Sequence, residues 1–133
     1  MENCIFCKII RGEIPSWKVY EDEHTLAFLD INPVARYHTI VIPKTHHENI
    51  FDIPPAVFSH VCTTVKHLAD LYQEKLGLTD LQIRHNAGAN AQQDVFHLHM
   101  HIVPRSADDG IDILHIPHPE WRETFDDLLK KLL

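Results

Sequence analysis

The longest regular pattern in the chain runs from Pro55 to Leu76. There Val57, Val61, Val65, Leu68, Tyr72 and Leu76 recur at steps of four and three. Those steps lay one apolar stripe along a helix, and Gly77 stops it. Shorter stretches around it read as strands. Lys18 to Glu21 and Thr25 to Asp30 form the arms of a hairpin, with Glu21-Asp22-Glu23-His24 as the turn. His38 to Ile42, bounded by Pro43, reads as a third strand, and Asp80 to Asn86 as a fourth. Ala87 to Asp94 is a small polar loop, and Val95 to Val103 reads as a fifth strand that Pro104 ends. Cys4 to Arg11 reads as a short helical turn closed by Gly12. Pro119 opens a last helix with the stripe Trp121, Phe125, Leu128 and Leu132. This order predicts an α+β fold: a five-stranded, mostly antiparallel sheet with one long helix and short terminal helices.

The fifth strand carries the most informative chemistry. His97, His99 and His101 alternate with Leu98, Met100 and Ile102. A pleated strand puts the imidazoles on one face and the apolar residues in a core. Same-face neighbours stand about 6.6 Å apart, so the outer pair is separated by about 13 Å. A zinc-bound imidazole nitrogen approaches to about 2.0–2.1 Å. Three histidines on one straight strand therefore do not readily hold one ion. A division of labour follows, with one structural, one nucleophilic and one acidic histidine. A plain row of surface histidines and a metal site using two of the three are the competing readings.

Bulk properties narrow the field. The 133 residues contain no repeat, low-complexity tract or linker, which predicts a single domain over residues 1–133. Such a length supports a core without disulfides. No apolar run approaches the ~20 residues of a membrane span. The formal charge of −7 argues against a nucleic-acid binder held by phosphate contacts. It leaves a small anionic substrate open, because a histidine cluster or helix N-terminus can still bind phosphate. The opening MENCIFCKII has no basic n-region, so a cytoplasmic location is expected.

Cys62 falls on the apolar side of the long helix and is expected in the core. Cys4-Ile5-Phe6-Cys7 is a C-x-x-C pair. Thioredoxin-like redox use expects a preceding strand, and none is predicted before Cys4. Metal use needs two further ligands, and Cys4, Cys7, His46 and His97 make a chemically complete Cys2His2 set. Two unpaired core thiols are the plain alternative.

His97 to Val103 fits the pattern H-φ-H-φ-H-φ-φ, where φ is apolar. On that motif the chain resembles the histidine triad (HIT) superfamily of nucleotide hydrolases and transferases. Ile5 to Pro15 resembles the family's opening segment, Ala27 to Pro33 its nucleoside-pocket segment, and His38 to His46 its next strand. Asn86 and the run Gln93-Asp94-Val95-Phe96 complete the likeness. Order and spacing are most similar to the Hint branch and its bacterial relatives.

The resemblance implies roles. His99 corresponds to a nucleophile that attacks an α-phosphate and forms a covalent nucleotidyl-histidine, its other nitrogen held by a main-chain carbonyl. His101 corresponds to a proton donor or charge stabiliser, and His38 to a fourth active-site histidine. Asp30 matches the carboxylate that binds both ribose hydroxyls. Phe6, Ile9, Phe28 and Ile31 match the base pocket, and Asn86 a ribose and phosphate contact. Gln93, Asp94 and Val95 match the phosphate loop, chiefly through main-chain amides.

Galactose-1-phosphate uridylyltransferase, a distant relative, carries a C-x-x-C and two histidines, one of them two residues before its nucleophile. By that likeness a structural zinc falls on Cys4, Cys7, His46 and His97, with His46 matching in place of His47. No catalytic metal is implied. Three departures stand out: Asp94 replaces a Ser or Thr, Gln92 replaces a frequent Gly, and the tail lacks the Hint ending Trp-Pro-Pro.

The implied protein is a homodimer. It cleaves the α-phosphate of purine nucleoside phosphoramidates or other adenylated small molecules. A dinucleoside polyphosphate hydrolase of the Fhit class is one alternative. A zinc-stabilised nucleotide-binding module with negligible turnover is another.

Overall fold

The computed structural model describes residues 1–112 and 115–133. In chain order its elements are α1 (Ile5–Ile10), β1 (Lys18–Glu21), β2 (Thr25–Leu29), β3 (Thr39–Pro43), α2 (Pro55–Leu76), β4 (Leu81–Arg84), β5 (Met100–Pro104) and α3 (Phe125–Leu132). Two short 3₁₀ turns, Ala89–Ala91 and Pro119–Thr124, precede β5 and α3. The sheet runs β1-β2-β3-β5-β4, and each neighbouring pair is antiparallel.

The central strands are covered on both faces, which is why β2 and β3 read as apolar runs rather than alternations. One face packs on α2: Ala27, Val41 and Ile102 meet Val61, Val65, Leu68 and Tyr72. Leu26, Phe28, Ile40 and Ile42 point the other way and meet Phe6 and Ile9 of α1. His101 pairs with Ile40 across the ladder, so its side chain falls on the α1 face. Burying each large apolar side chain contributes about 1.5–3 kcal/mol. Two buried hydroxyl pairs also tie α2 to the sheet: Thr25 with Thr64 at 2.7 Å, and Thr39 with Tyr72 at 2.6 Å. Gly77 ends α2 in the left-handed region, at φ 69°, where a Cβ would be strained.

The structure corrects several expectations. The fifth strand begins at Met100, not Val95. The reason lies in Pro43, which ends β3 and has no N–H for a longer ladder. Beyond that point the backbone bonds elsewhere: the Leu98 amide donates to His47 O at 2.7 Å. The fourth strand stops at Arg84, and the His85 ring, not its backbone, donates to His99 O at 3.2 Å. Cys62 is exposed, because it sits one residue, about 100° of helix, beyond Val61. The last helix starts at Phe125, with Trp121 in the preceding 3₁₀ turn, and its apolar stripe faces outward. Among the described residues no helix is long and apolar enough to cross a membrane.

Candidate active site

Leaving the ladder early changes what the triad histidines can do. His97 is fully buried between α1 and the segment after β3. His99 is 3% exposed and His101 8% exposed, on the α1 face. The rings of His99 and His101 are 4.9 Å apart between centroids, and the ring of Phe6 stands nearly perpendicular to His99 with centroids 5.1 Å apart.

Fixed donors and acceptors decide where each proton sits. His99 Nδ1 lies 2.8 Å from His97 O, a carbonyl that can only accept. The neutral ring of His99 therefore keeps its proton on Nδ1, which leaves the Nε2 lone pair as its nucleophilic atom. The Val34 amide donates to His38 Nδ1 at 3.2 Å, so the His38 proton is on Nε2. That nitrogen stands 2.9 Å from His101 Nδ1, which must accept. The His101 proton is consequently on Nε2. His101 is pushed down to about 4, chiefly by burial, with smaller contributions from His99, His38 and Arg84. His38 is also lowered, by burial first, although Asp30 opposes this. Both rings are neutral near pH 7, the state this relay requires.

Two hollows meet at His101. One, of about 170 Å³, is walled by Phe6, Ile9, Ile14, Phe28, Ile31 and Val95, with Asp30, Asp94, His99 and His101 also on its lining. The other, of about 230 Å³, is polar and bordered by Asn32, His38, Arg84, Asn86, Gln92 and, again, Asp30, Asp94 and His101. A larger hollow of about 400 Å³ lies near Tyr37, Leu78 and Arg105, and none of the triad lines it. It borders the Arg105–Asp109 ion pair, a connection within the tail.

A second cluster gathers Cys4, Cys7, His46 and His97, whose ligand atoms all lie within 4.8 Å of one another. His97 Nδ1 is 3.4 Å from Cys4 Sγ, 3.5 Å from Cys7 Sγ and 3.2 Å from His46 Nδ1. A tetrahedral zinc site has S···N edges of about 3.6 Å and N···N edges of about 3.3 Å, from its usual bond lengths. His97 Nε2 donates to Pro43 O at 2.9 Å, which leaves Nδ1 bare and facing the cluster. A backbone carbonyl in this position is the usual partner of a metal-ligating histidine. His47 turns away, its Nε2 3.0 Å from Thr45 Oγ1.

Residues 11–108 match the HIT domain profile. The chain belongs to the HIT domain family. A HIT protein of Bacillus subtilis, "Protein hit", is 51% identical over 104 residues, covering 78% of this chain and 72% of that one. The Adenosine 5′-monophosphoramidase HNT1 of Saccharomyces cerevisiae is 38% identical over 127 residues, 96% of this chain and 77% of the relative. The Adenylylsulfatase HINT3 of Arabidopsis thaliana is 40% identical over 107 residues, 80% of this chain and 54% of that protein. Among solved structures, a HIT family protein from Bacillus anthracis superposes with a TM-score of 0.90 at 39% identity, covering 98% of this chain and 95% of the other. A zinc-bound histidine triad family protein from Mycobacterium smegmatis gives 0.79 at 35% identity, covering 98% of each chain. The five-stranded antiparallel sheet with its helices is the HIT fold.

Within this HIT fold the expected site residues converge unevenly. Phe6, Ile9 and Phe28 are buried beside the apolar hollow, whereas Ile31, 69% exposed, forms its rim. Asp30 accepts from the Asn32 amide at 2.8 Å and lies 3.5 Å from His38 Nε2. Asn86 lines the polar hollow. Gln93 lines neither hollow. Its side chain braces the loop, donating to Glu48 O and Val95 O and accepting from the Gly88 amide. Gln92 has φ 69°, the conformation that favours Gly at this turn. Asp94 Oδ1 accepts from the Val95 amide at 2.9 Å and stands 3.5 Å from His99 Nε2.

Two residues near the site were missed from sequence. His85 accepts the Ile50 amide on Nε2 and donates from Nδ1 to His99 O, so it braces the triad backbone. Arg84 borders the polar hollow. Both signals depend on the register between β4 and β5, which no local pattern encodes.

Proposed function

We propose that this HIT protein is a nucleotide hydrolase that cleaves nucleoside 5′-phosphate derivatives through a nucleotidyl-His99 intermediate. The observation that carries the reading is the bare Nε2 of His99. His99 lines the apolar hollow, and its Nδ1 proton is held by His97 O at 2.8 Å. The nucleoside enters the apolar hollow, with its base against Phe6, Ile9 and Phe28 and its ribose hydroxyls on Asp30. The α-phosphate then lies between His99 and His101.

The His99 lone pair attacks phosphorus, and the bond to the leaving group breaks with its electron pair. His101 Nε2–H donates to a departing amine. Water next attacks phosphorus and passes its proton to His101 Nε2, which restores that ring, while the P–N bond breaks and the electron pair returns to His99 Nε2. Names of relatives support the substrate class: one is an adenosine 5′-monophosphoramidase and another an adenylylsulfatase. Purine phosphoramidates and adenylated small molecules are the substrates inferred.

The convergent Cys4, Cys7, His46 and His97 fit a structural zinc, and the zinc-bound relative supports it. Bound there, zinc supplies a cross-link, joining α1 to the segment after β3 and to the start of the triad. We also infer a homodimer in the cytoplasm, which sedimentation and cell fractionation test.

The decisive experiment is turnover of adenosine 5′-phosphoramidate by the protein and by His99→Ala. The substitution is expected to lower kcat about 1,000-fold or more while AMP still binds. Retained turnover in His99→Ala overturns the mechanism. AMP binding without turnover by the unaltered protein favours a nucleotide-binding module instead.

A further inference from the structure

The hydrolysis outlined above makes no use of a full positive charge standing beside His101. Arg84 closes β4 and pairs with His101 in the β4–β5 register. Directly opposed residues put their side chains on one face. Arg84 lines the polar hollow together with His38, Asn86, Gln92 and His101. Its Nε is buried and has no hydrogen-bond partner among the described residues. A buried donor without a partner is rare and calls for an explanation.

The two carboxylates of the same hollow do not serve it. Asp30 holds the Asn32 amide and faces His38, and Asp94 holds the Val95 amide at an exposed rim. The guanidinium stays charged at any accessible pH. Its field already reaches the histidines, since it contributes to lowering both His38 and His101. The two hollows share Asp30, Asn32, Asp94 and His101, so the polar one lies beside the phosphate end of a nucleotide seated in the apolar one.

We propose that Arg84 receives an anionic leaving group, an oxyanion such as sulfate or phosphate joined to the α-phosphate, and so sets the substrate class. The inference rests on the nucleotidyl-transfer reading. His99 Nε2 forms the bond to phosphorus, the P–O bond to the oxyanion breaks, and the electron pair stays on the departing oxygen. Sulfate leaves as a dianion and needs no proton. The guanidinium fork pairs with the oxygens of that anion and offsets the charge gained as the bond breaks. Ammonia gains nothing from it, because it departs neutral after accepting a proton. Arg84 is thus a specificity residue for oxyanions over amines.

The test compares adenosine 5′-phosphosulfate with adenosine 5′-phosphoramidate, which share one nucleotide and one nucleophile. The unaltered protein, Arg84→Lys and Arg84→Gln are assayed for kcat/KM on both. Arg84→Gln is expected to lower the sulfate-to-amidate ratio about tenfold or more, with Arg84→Lys between the two. Equal losses on both substrates, or an unchanged ratio, overturn the proposal.

A binding arm needs no turnover. In a His99→Ala background, calorimetry measures adenosine 5′-phosphosulfate against AMP with and without Arg84→Gln. The phosphosulfate is expected to weaken at least about fivefold more than AMP, and equal weakening overturns the assignment. If the unaltered protein turns over neither substrate, the hydrolytic reading falls and the binding arm alone decides Arg84.

Discussion

His38 Nε2 stands 2.9 Å from His101 Nδ1, and the Val34 amide on the far side of His38 dictates which ring donates. The direction of that one bond puts the His101 proton on Nε2. Without His38, His101 is free to carry its proton on Nδ1, where it cannot reach the leaving group. His38→Ala is therefore expected to slow cleavage of basic amine leaving groups about 10- to 100-fold. Leaving groups that need no proton are expected to slow much less. A series of nucleoside phosphoramidates graded by amine basicity checks this. A loss that is uniform across the series counts against the relay.

The Cys4–Cys7–His46–His97 cluster predicts a metal-dependent fold. Protein purified without added metal is expected to carry about one equivalent of zinc, measured by elemental analysis. Replacing Cys4 and Cys7 with Ser is expected to remove it. The melting temperature should fall by about 10 °C, because α1 loses its tether and the core facing Phe6 and Ile9 is weakened. Zinc content that survives the double replacement argues against these ligands.

His101 also predicts a direction of pH dependence. Its folded value of about 4 lies below the ordinary histidine value of 6.5, because burial disfavours the imidazolium. The unfolded chain therefore binds more protons between those values, and stability falls as pH drops from about 7 towards 4. The loss is at most about 3.5 kcal/mol from this group, at about 1.4 kcal/mol per pH unit. Urea midpoints of the protein and of His101→Gln, taken at pH 7 and pH 5, check it. The variant is expected to lose less stability between the two.

How much of this was legible in the sequence depended on how local each signal was. Helix α2 was read to its last residue, because the stripe from Val57 to Leu76 and the stop at Gly77 are local patterns. The succession of strands along the chain was equally readable, and the histidine triad pattern carried the family. The extent of the fifth strand was not readable. Alternation from Val95 onward looks like a strand, but the ladder ends where Pro43 offers no amide and Gln93 supplies loop bonds instead. Cys62 misled for a different, local reason: one residue separates the buried and exposed sides of a helix. Arg84 and His85 stayed hidden because their meaning comes from a partner strand far along the chain. For the fifth strand, Arg84 and His85 a nonlocal hydrogen bond or register outweighed a local periodicity, whereas for Cys62 the helical angle itself decided.

Asp94 gives the last prediction, and it concerns charge rather than shape. Its Oδ1 holds the Val95 amide at 2.9 Å and stands 3.5 Å from His99 Nε2. In the proposed reaction an α-phosphoryl oxygen needs that amide and that space. The carboxylate therefore competes with the phosphate for one donor and repels it as well. Asp94→Asn keeps the size and removes the charge. Because the side chain is 79% exposed, water and salt screen most of the repulsion. The gain is accordingly modest: AMP is expected to bind about 3- to 5-fold more tightly, within the roughly 1 kcal/mol of an exposed charge contact. Raising the ionic strength should shrink the difference, since screening already does part of what the substitution does. Affinity that is unchanged at low salt would mean that Asp94 swings clear of the phosphate when nucleotide binds.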